Sequence, residues 1–250
     1  ENIMNQAIGS EIADYLIKPV NPMQILLSIK KNLHSEALVA QKATDDYRQE
    51  FARISNQIAM ASNINDWYEL YQTLVRWELT LSNTDTGMGE MLKMQKQEAN
   101  NAFAKMVKRN YETWVTGGEH PLMSNEIFKT QIFPFIDRGE KVCFIVIDNF
   151  RLDQWKTISP LLNEYFNVEK EELYTTILPT ATQYARNAIF SGLMPIDIER
   201  MFPELWVDED EDEGKNLNEA PLIQTILDRY RRKCKFSYNK LNDSAAGERL

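Results

Sequence analysis

Two polar side chains of the sequence follow apolar runs and are of types that do phosphate chemistry together. Asp148 comes directly after residues 142–147, and Thr182 comes shortly after residues 173–178. A threonine hydroxyl is a weak nucleophile that needs a base or a metal ion to activate it. Since a carboxylate is a hard oxygen ligand for divalent cations, Asp148 could hold such an ion beside the hydroxyl. The pair therefore predicts a metal-assisted phosphoryl-transfer site.

Thr182 lies in the segment ILPTATQYARNAIFSGLMP, residues 177–195, which passes from an apolar run into a helical pattern. The first backbone N–H groups of a helix point outward and attract anions, so a phosphate is favoured at this position. An ordinary alternative fits the spacing as well, because threonine is a frequent helix N-cap. On spacing alone, an N-cap at Thr180 or Thr182 is the more common role, and both interpretations stay open.

An α/β unit in the C-terminal part of the chain would position these side chains. The continuous apolar run Val142 to Ile147 is typical of a strand buried on both faces of a parallel sheet. A helix is predicted from about Arg151 to Phe166, and a second strand from Leu173 to Leu178. Because the carboxyl ends of parallel strands meet at one edge of a doubly wound sheet, Asp148 and Thr182 are expected at the same ligand-binding edge.

Helical periodicity dominates the middle of the chain, residues 36–136. Apolar side chains recur there at spacings of three and four, which places one stripe along each helix. The three series are Tyr47, Phe51, Ile54, Ile58 and Ala61; Trp67, Leu70, Leu74, Trp77 and Leu81; and Leu92, Ala99, Phe103, Met106, Asn110 and Trp114. The pattern predicts a small helical bundle with these stripes as its core. A later helix is predicted over about Ala220 to Lys233, and KFSY at residues 235–238 is compatible with a further strand.

Composition and charge exclude several classes of function. The run DEDEDE at residues 208–213 carries most of the net charge of −9, and it is interpreted as a solvated loop or, alternatively, as an electrostatic gate. The chain has no broad basic face for long nucleic acid. Cys143 and Cys234 are widely spaced and lie in no metal-ligand pattern, which fits a reducing compartment better than a disulfide scaffold. His34 and His120 have no partner at metal-ligand spacing. No stretch approaches the roughly 20 apolar residues of a membrane span, and residues 1–20 lack a secretion signal, so a soluble cytoplasmic protein is predicted.

Near the N-terminus, residues 11–33 predict one strand followed by one helix. The strand covers Ala13 to Ile17, Lys18 follows it, and Pro22 lies in the first helical turn, where proline is tolerated. The stretch DYLIKPV resembles the last strand and helix of a response-regulator receiver domain. The resemblance implies that Lys18 reaches the phosphorylated aspartate, that this aspartate lies upstream of Glu1, and that the intact receiver site binds Mg²⁺.

The stretch IDNFRLDQW, followed by the threonine segment, resembles the PglZ domain of the alkaline phosphatase superfamily. With the receiver-like and helical segments, the arrangement is similar to the PorX-type response regulators of the type IX secretion system. The fold class implied is α/β with a helical-bundle middle. Its domains are the end of a receiver over residues 1–35, a helical bundle over 36–139, and the N-terminal part of an alkaline-phosphatase-like doubly wound domain over 140–250.

This resemblance implies a phosphodiesterase that acts on cyclic or linear oligonucleotides with Zn²⁺, usually two ions per site. The superfamily pattern matches Asp148 to a metal ligand. It matches Thr182, the second threonine of the T-x-T pair, to the nucleophile, which also contacts the metal. Arg186 and Asn187 are predicted by position as contacts to the phosphate or oxyanion. The remaining Asp and His ligands are expected beyond Leu250, because no histidine follows His120.

The resemblance also implies partners and regulation. A sensor histidine kinase would switch the receiver in a phosphorelay, and the phosphorylated protein is expected to form a homodimer. The alternative function is a dimerising signalling module that binds a sigma factor or a secretion component with little or no catalysis. An enzyme that uses a dinucleotide cofactor is disfavoured, because the α/β segments lack a G-x-G-x-x-G turn.

Overall fold

The computed structural model of the protein describes residues 16, 18–82, 87–207 and 217–241, with the backbone alone at residues 31–36. Helices dominate this part of the chain. In chain order they are α1 (Pro22–Met60), α2 (Ile64–Leu81), α3 (Met88–Val115), α4 (Phe133–Asp137), α5 (Leu152–Leu162), α6 (Thr182–Ser191), α7 (Pro195–Met201) and α8 (Glu219–Arg229). Short 3₁₀ turns occupy Ser124–Glu126 and Pro203–Leu205, and a π-helical turn occupies Phe128–Ile132.

The chain divides into two compact units. The first unit extends to Asn110 and also takes in Asn149–Asn167, so that it contains α1, α2, most of α3, and α5. The second unit contains Tyr111–Asp148 and continues from Val168, with α4, α6, α7 and α8. The chain therefore passes from the second unit to the first directly after Asp148 and returns after Asn167.

The helix predicted after Pro22 is confirmed as α1, and its start is capped. The Asn21 side-chain oxygen accepts a hydrogen bond from the Met23 backbone N–H at 2.9 Å, and the Asn21 N–H donates to Gln24 Oε1 at 3.1 Å. This reciprocal arrangement satisfies backbone donors that a helix start leaves without partners. Pro22 lies in the first turn, as predicted, because its missing N–H would have had no partner there.

The start of α2 has the same reciprocal capping arrangement, with a carboxylate in place of the amide side chain of Gln24. Asn63 accepts from the N–H of Asn65 and of Asp66, and the Asp66 carboxylate accepts from the backbone N–H of Ser62 and of Asn63. These backbone hydrogen bonds favour the charged carboxylate and lower the pKa of Asp66 below its ordinary value.

Most residues of the predicted apolar stripes lie in the core of the first unit. The core members are Ala43, Tyr47, Ile54, Ile58, Trp67, Leu70, Leu74, Trp77, Leu81, Met88, Leu92 and Ala99. One polar side chain, Gln95, is buried among them on α3. Its side-chain oxygen accepts from the Tyr47 hydroxyl at 3.2 Å, and its nitrogen donates to Phe51 O at 3.0 Å and to Ser55 Oγ at 2.9 Å. This network joins α3 to α1, and burial raises the pKa of Tyr47 to about 12.

The second unit has its own core, built mainly from α6, α8 and the turns before α4. Its buried members are Phe128, Phe133, Ile189, Phe190, Ile198, Leu222, Ile223, Ile226 and Leu227. Gly192 ends α6 in the left-handed conformation with φ of 64°. A side chain at Gly192 would meet Ile226 Cδ1, so glycine allows α6 and α8 to approach closely.

The parallel sheet predicted for the C-terminal part is not formed by the described residues. Residues 142–147 have no regular structure, and most of their apolar side chains are exposed. Residues 173–178 contain one isolated parallel bridge, between Thr175 and Met123, and residues 235–238 are not a strand either. A buried strand needs neighbouring strands to satisfy its N–H and C=O groups, and the described residues supply none. The α/β part of the predicted fold class is therefore not confirmed.

Two other sequence predictions fall outside the described residues. The strand predicted at Ala13 to Ile17 lies there except for Leu16, and so does the acidic run at residues 208–213. The helix predicted from about Arg151 is confirmed as α5, which ends at Leu162. The helix predicted from about Ala220 is confirmed as α8, which begins one residue earlier and ends at Arg229.

Candidate functional site

The segment that leads to Thr182 is held by one backbone bridge and two side-chain hydrogen bonds rather than by a sheet. The Thr175 N–H donates to Leu122 O at 2.9 Å, and the Ile177 N–H donates to Ser124 Oγ at 3.2 Å. The Leu178 N–H donates to the Tyr111 hydroxyl at 2.6 Å. Ile177 is completely buried, so it anchors the extended segment from which α6 begins.

Thr182 is the first residue of α6. Ala181 occupies the N-cap and makes no side-chain hydrogen bond to the helix, so neither Thr180 nor Thr182 is the N-cap that the alternative interpretation predicted. Thr182 is half-buried. Its hydroxyl therefore stands at the start of a ten-residue helix whose first N–H groups lack a side-chain cap.

Asp148 lies in a turn that follows residues 142–147, and Phe144 ties that stretch to the second unit's core. The Phe144 ring packs against Phe128 at 5.2 Å and against Phe190 of α6 at 6.3 Å between ring centroids. The Asp148 side chain is 62 % exposed. The anchoring of Phe144 places the carboxylate near α6 while leaving it open to solvent.

Arg186 joins Asp148 to a second carboxylate. Arg186 Nη1 donates to Asp148 Oδ2 at 3.2 Å, and Nη2 donates to Glu219 Oε1 at 2.9 Å. Arg186 comes four residues after Thr182, so the two side chains project from the same face of α6. The structure thus brings Asp148, Arg186 and the Thr182 face of α6 together.

Glu219 is the member of this cluster that the sequence did not single out. It lies in the first turn of α8 with only 2 % of its side chain exposed, and Lys240 Nζ is 3.9 Å from its Oε1. Burial and the Glu219 charge raise the pKa of Tyr238, whereas Arg186 acts in the opposite direction. A carboxylate at the start of a predicted helix was the available signal, but it is also an ordinary surface pattern.

Two predicted site residues, Asn187 and Lys18, are not part of the cluster of Asp148, Arg186 and Glu219. Asn187 follows Thr182 by five residues, about 140° around the helix, and it is buried against the core. Its Oδ1 has no hydrogen-bond partner in the described part of the chain. Lys18 is exposed in the first unit. The phosphate-binding role of Asn187 and the switch role of Lys18 stay predictions.

The described residues do not by themselves form a metal centre. Among them, no three His, Cys, Asp or Glu side chains come together in a way that could hold an ion. Zinc in proteins takes three or four protein ligands, whereas Asp148 and Thr182 offer one carboxylate and one hydroxyl. Asp148 also faces the Arg186 guanidinium, whose charge opposes a cation at that oxygen. The zinc site therefore stays a prediction.

Two known protein families match the chain in succession. The PorX response regulator linker domain matches residues 37–115, which include most of α1, all of α2 and all of α3. The BREX system PglZ alkaline phosphatase-like domain matches residues 127–249, which include Asp148, Thr182 and Glu219. No curated protein matches the chain significantly. In the described ranges, no helix combines the length and the apolar character of a membrane crossing. The succession of a PorX linker domain and a PglZ alkaline phosphatase-like domain matches the arrangement of a PorX-type response regulator that carries a PglZ domain.

Proposed function

We propose that the chain is the linker and output part of a response regulator whose output domain hydrolyses phosphoesters. The observation that carries this proposal is the fixed position of Arg186, which lies one helical turn from Thr182 and contacts Asp148. A guanidinium beside a helix N-terminus offers two kinds of N–H donor to the same anion. The match to an alkaline phosphatase-like domain supports a phosphoester as that anion.

In the proposed reaction, the Thr182 hydroxyl oxygen attacks phosphorus and loses its proton. The bond from phosphorus to the leaving group breaks, and the departing oxygen keeps the electron pair and takes up a proton to leave as an alcohol. The threonine then carries the phosphoryl group until water hydrolyses it. The first N–H groups of α6 and the Arg186 guanidinium stabilise the negative charge on the phosphoryl oxygens. The alkaline phosphatase superfamily activates its nucleophile with metal ions, and Asp148 is the exposed carboxylate near α6 that would serve as a zinc ligand.

The regulation of this output follows from the linker match. A response regulator implies a sensor kinase, and we propose that a receiver passes its state through the linker bundle to the output domain. Lys18, after the strand-like stretch that resembles a receiver, would be its switch lysine. The finer proposals are cyclic or linear oligonucleotides as substrates, control of type IX secretion, and a homodimer formed on phosphorylation.

Hydrolysis of bis-(4-nitrophenyl) phosphate by the intact protein with added zinc tests the reaction. The substitution Thr182→Val removes the hydroxyl and keeps the shape, so the rate should fall by at least roughly 100-fold. Thr180→Val is the matched control, because Thr180 lies two residues earlier and outside α6. Equal rates for wild type and Thr182→Val would overturn the proposal, whereas a loss on removal of zinc would support metal dependence.

The second candidate is a signalling module that binds a sigma factor or a secretion component without catalysis. The observation that favours it is the ion pair between Asp148 and Arg186, which occupies the carboxylate with a protein cation. In this case, Thr182→Val should leave the signalling output of the intact protein unchanged. Loss of receiver phosphorylation should abolish that output.

A further inference from the structure

Glu219 is a buried carboxylate that the proposed reaction does not use. Only 2 % of its side chain is exposed, and Arg186, at 13 %, is nearly as buried. By contrast, the pair of Arg200 with Asp197 in the same unit has side chains that are 74 % and 32 % exposed. Withdrawing a carboxylate from water carries a desolvation cost that surface pairs largely avoid.

The surroundings of Glu219 compensate for this cost. Arg186 Nη2 donates to Oε1 at 2.9 Å, Lys240 Nζ lies 3.9 Å from the same oxygen, and the first turn of α8 supplies the positive end of a helix dipole. The carboxylate is therefore fixed from several directions. An arginine bound to it loses most of its rotational freedom.

The two ends of the Arg186 guanidinium have different environments. Nη2 contacts the buried Glu219, whereas Nη1 contacts Asp148, whose side chain is 62 % exposed. Arg186 Nε is buried and has no hydrogen-bond partner among the described residues. One end of the guanidinium is thus anchored in the unit, and the other end is held at the solvent side by an exposed partner that an anion can replace.

We propose that Glu219 is a positioning residue for phosphate binding, which anchors Arg186 so that Nη1 exchanges Asp148 for a phosphoryl oxygen. The inference rests on the proposed phosphoester site, because it uses the same arginine. It assigns to Glu219 a role that does not involve contact with the substrate. In this proposal, the ion pair between Arg186 and Asp148 is the state of the site before the anion binds.

Binding of inorganic phosphate to the intact protein, measured by isothermal titration calorimetry, tests this role without any turnover. Removing the anchor should weaken phosphate binding roughly tenfold, which corresponds to about 1.4 kcal/mol. Two variants provide this test: Glu219→Gln keeps the shape without the charge, and Glu219→Asp keeps the charge but shortens the side chain. Asp228→Asn is the matched control on α8, because Asp228 accepts from Gln224 on an exposed surface. Thermal unfolding of each variant identifies those that fold.

A double-mutant cycle distinguishes positioning from a merely structural role. If Glu219 acts through Arg186, then Arg186→Lys combined with Glu219→Asp should bind phosphate no more weakly than Arg186→Lys alone. In the hydrolysis assay, Glu219→Asp should raise KM more than it lowers kcat. Losses that multiply in the double variant, or phosphate binding by Glu219→Asp at the wild-type level, would overturn the inference.

Phosphate binding by the Glu219 variants and hydrolysis by Thr182→Val test the two proposals separately. Weaker phosphate binding in the Glu219 variants, together with unchanged hydrolysis by Thr182→Val, would support this inference and remove Thr182 as the nucleophile. Wild-type phosphate binding by the Glu219 variants, together with lost hydrolysis by Thr182→Val, would overturn this inference and support Thr182 as the nucleophile.

Discussion

One buried polar cluster in each unit shows a difference in charge. In the first unit, Gln95 is neutral, and its oxygen and nitrogen bind the Tyr47 hydroxyl, a backbone carbonyl and a serine hydroxyl inside the bundle. In the second unit, Glu219 and Arg186 are charged, and the far end of Arg186 reaches an exposed carboxylate. A satisfied neutral network fixes how helices pack, whereas a buried charge that extends to the surface can act on a ligand. This difference agrees with the proposal that the ligand binds to the second unit and not to the first.

The close approach of α6 to α8 in the second unit is expected to give the largest effect on stability. Gly192→Ala combines a left-handed backbone conformation with a side chain that meets the buried Ile226, so it should cost about 2–4 kcal/mol of unfolding free energy. Gly139→Ala is the matched control, because Gly139 has φ of 77° but open space around it. Denaturant unfolding measures both. Equal losses in the two variants would show that α6 and α8 do not depend on their close contact.

The neutral network of the first unit should give an intermediate effect. Gln95→Leu leaves the buried Tyr47 hydroxyl without its acceptor, which should cost about 1–3 kcal/mol. Adding Tyr47→Phe removes the unsatisfied hydroxyl, so the double variant should recover part of the loss. Phosphate binding should be unchanged in both variants. A loss of phosphate binding there would contradict the division of roles between the units.

The cap of α2 in the first unit should give the smallest effect, and one that depends on pH. Backbone hydrogen bonds lower the pKa of Asp66 in the folded state below 3.8, so the charged carboxylate adds stability at pH values above the unfolded pKa. That contribution is lost as the pH falls through the lowered folded pKa. Wild type should therefore exceed Asp66→Asn in melting temperature at pH 7, and the difference should shrink toward pH 2. A difference that is constant with pH would show that the charge of Asp66 contributes nothing.

The sequence predicted the longer helices well, because each carries its own local signal, whereas the seven-residue α7 was not predicted. Pro22 marks the start of α1, and the spacing of apolar side chains such as Tyr47 and Trp77 gives the buried faces of the bundle. The strands were predicted less well. The apolar run at residues 142–147 signals burial, yet a strand requires partners that the run itself does not specify.

The candidate site was predictable in part. Thr182 and Asp148 were predicted from their places after two apolar runs, and the family resemblance favoured Thr182 over Thr180. Glu219 was missed, because nothing in the local sequence distinguishes a carboxylate that is buried from one that caps a surface helix. The burial of Asn187 was not predicted either, because its place beside Arg186 in the chain does not show that the turn of the helix directs its side chain into the core.

The sequence by itself determined the longer helices of this protein, the families that its two domains resemble, and the types of side chain available for phosphate chemistry. Periodicity and capping are local, and residue types do not depend on the fold. Only the tertiary structure decided that Arg186 joins Asp148 to Glu219, which lie 38 and 33 residues from it in the chain. Burial and charge pairing arise from contacts between distant segments, and these contacts determine which carboxylate anchors the arginine and which one faces solvent.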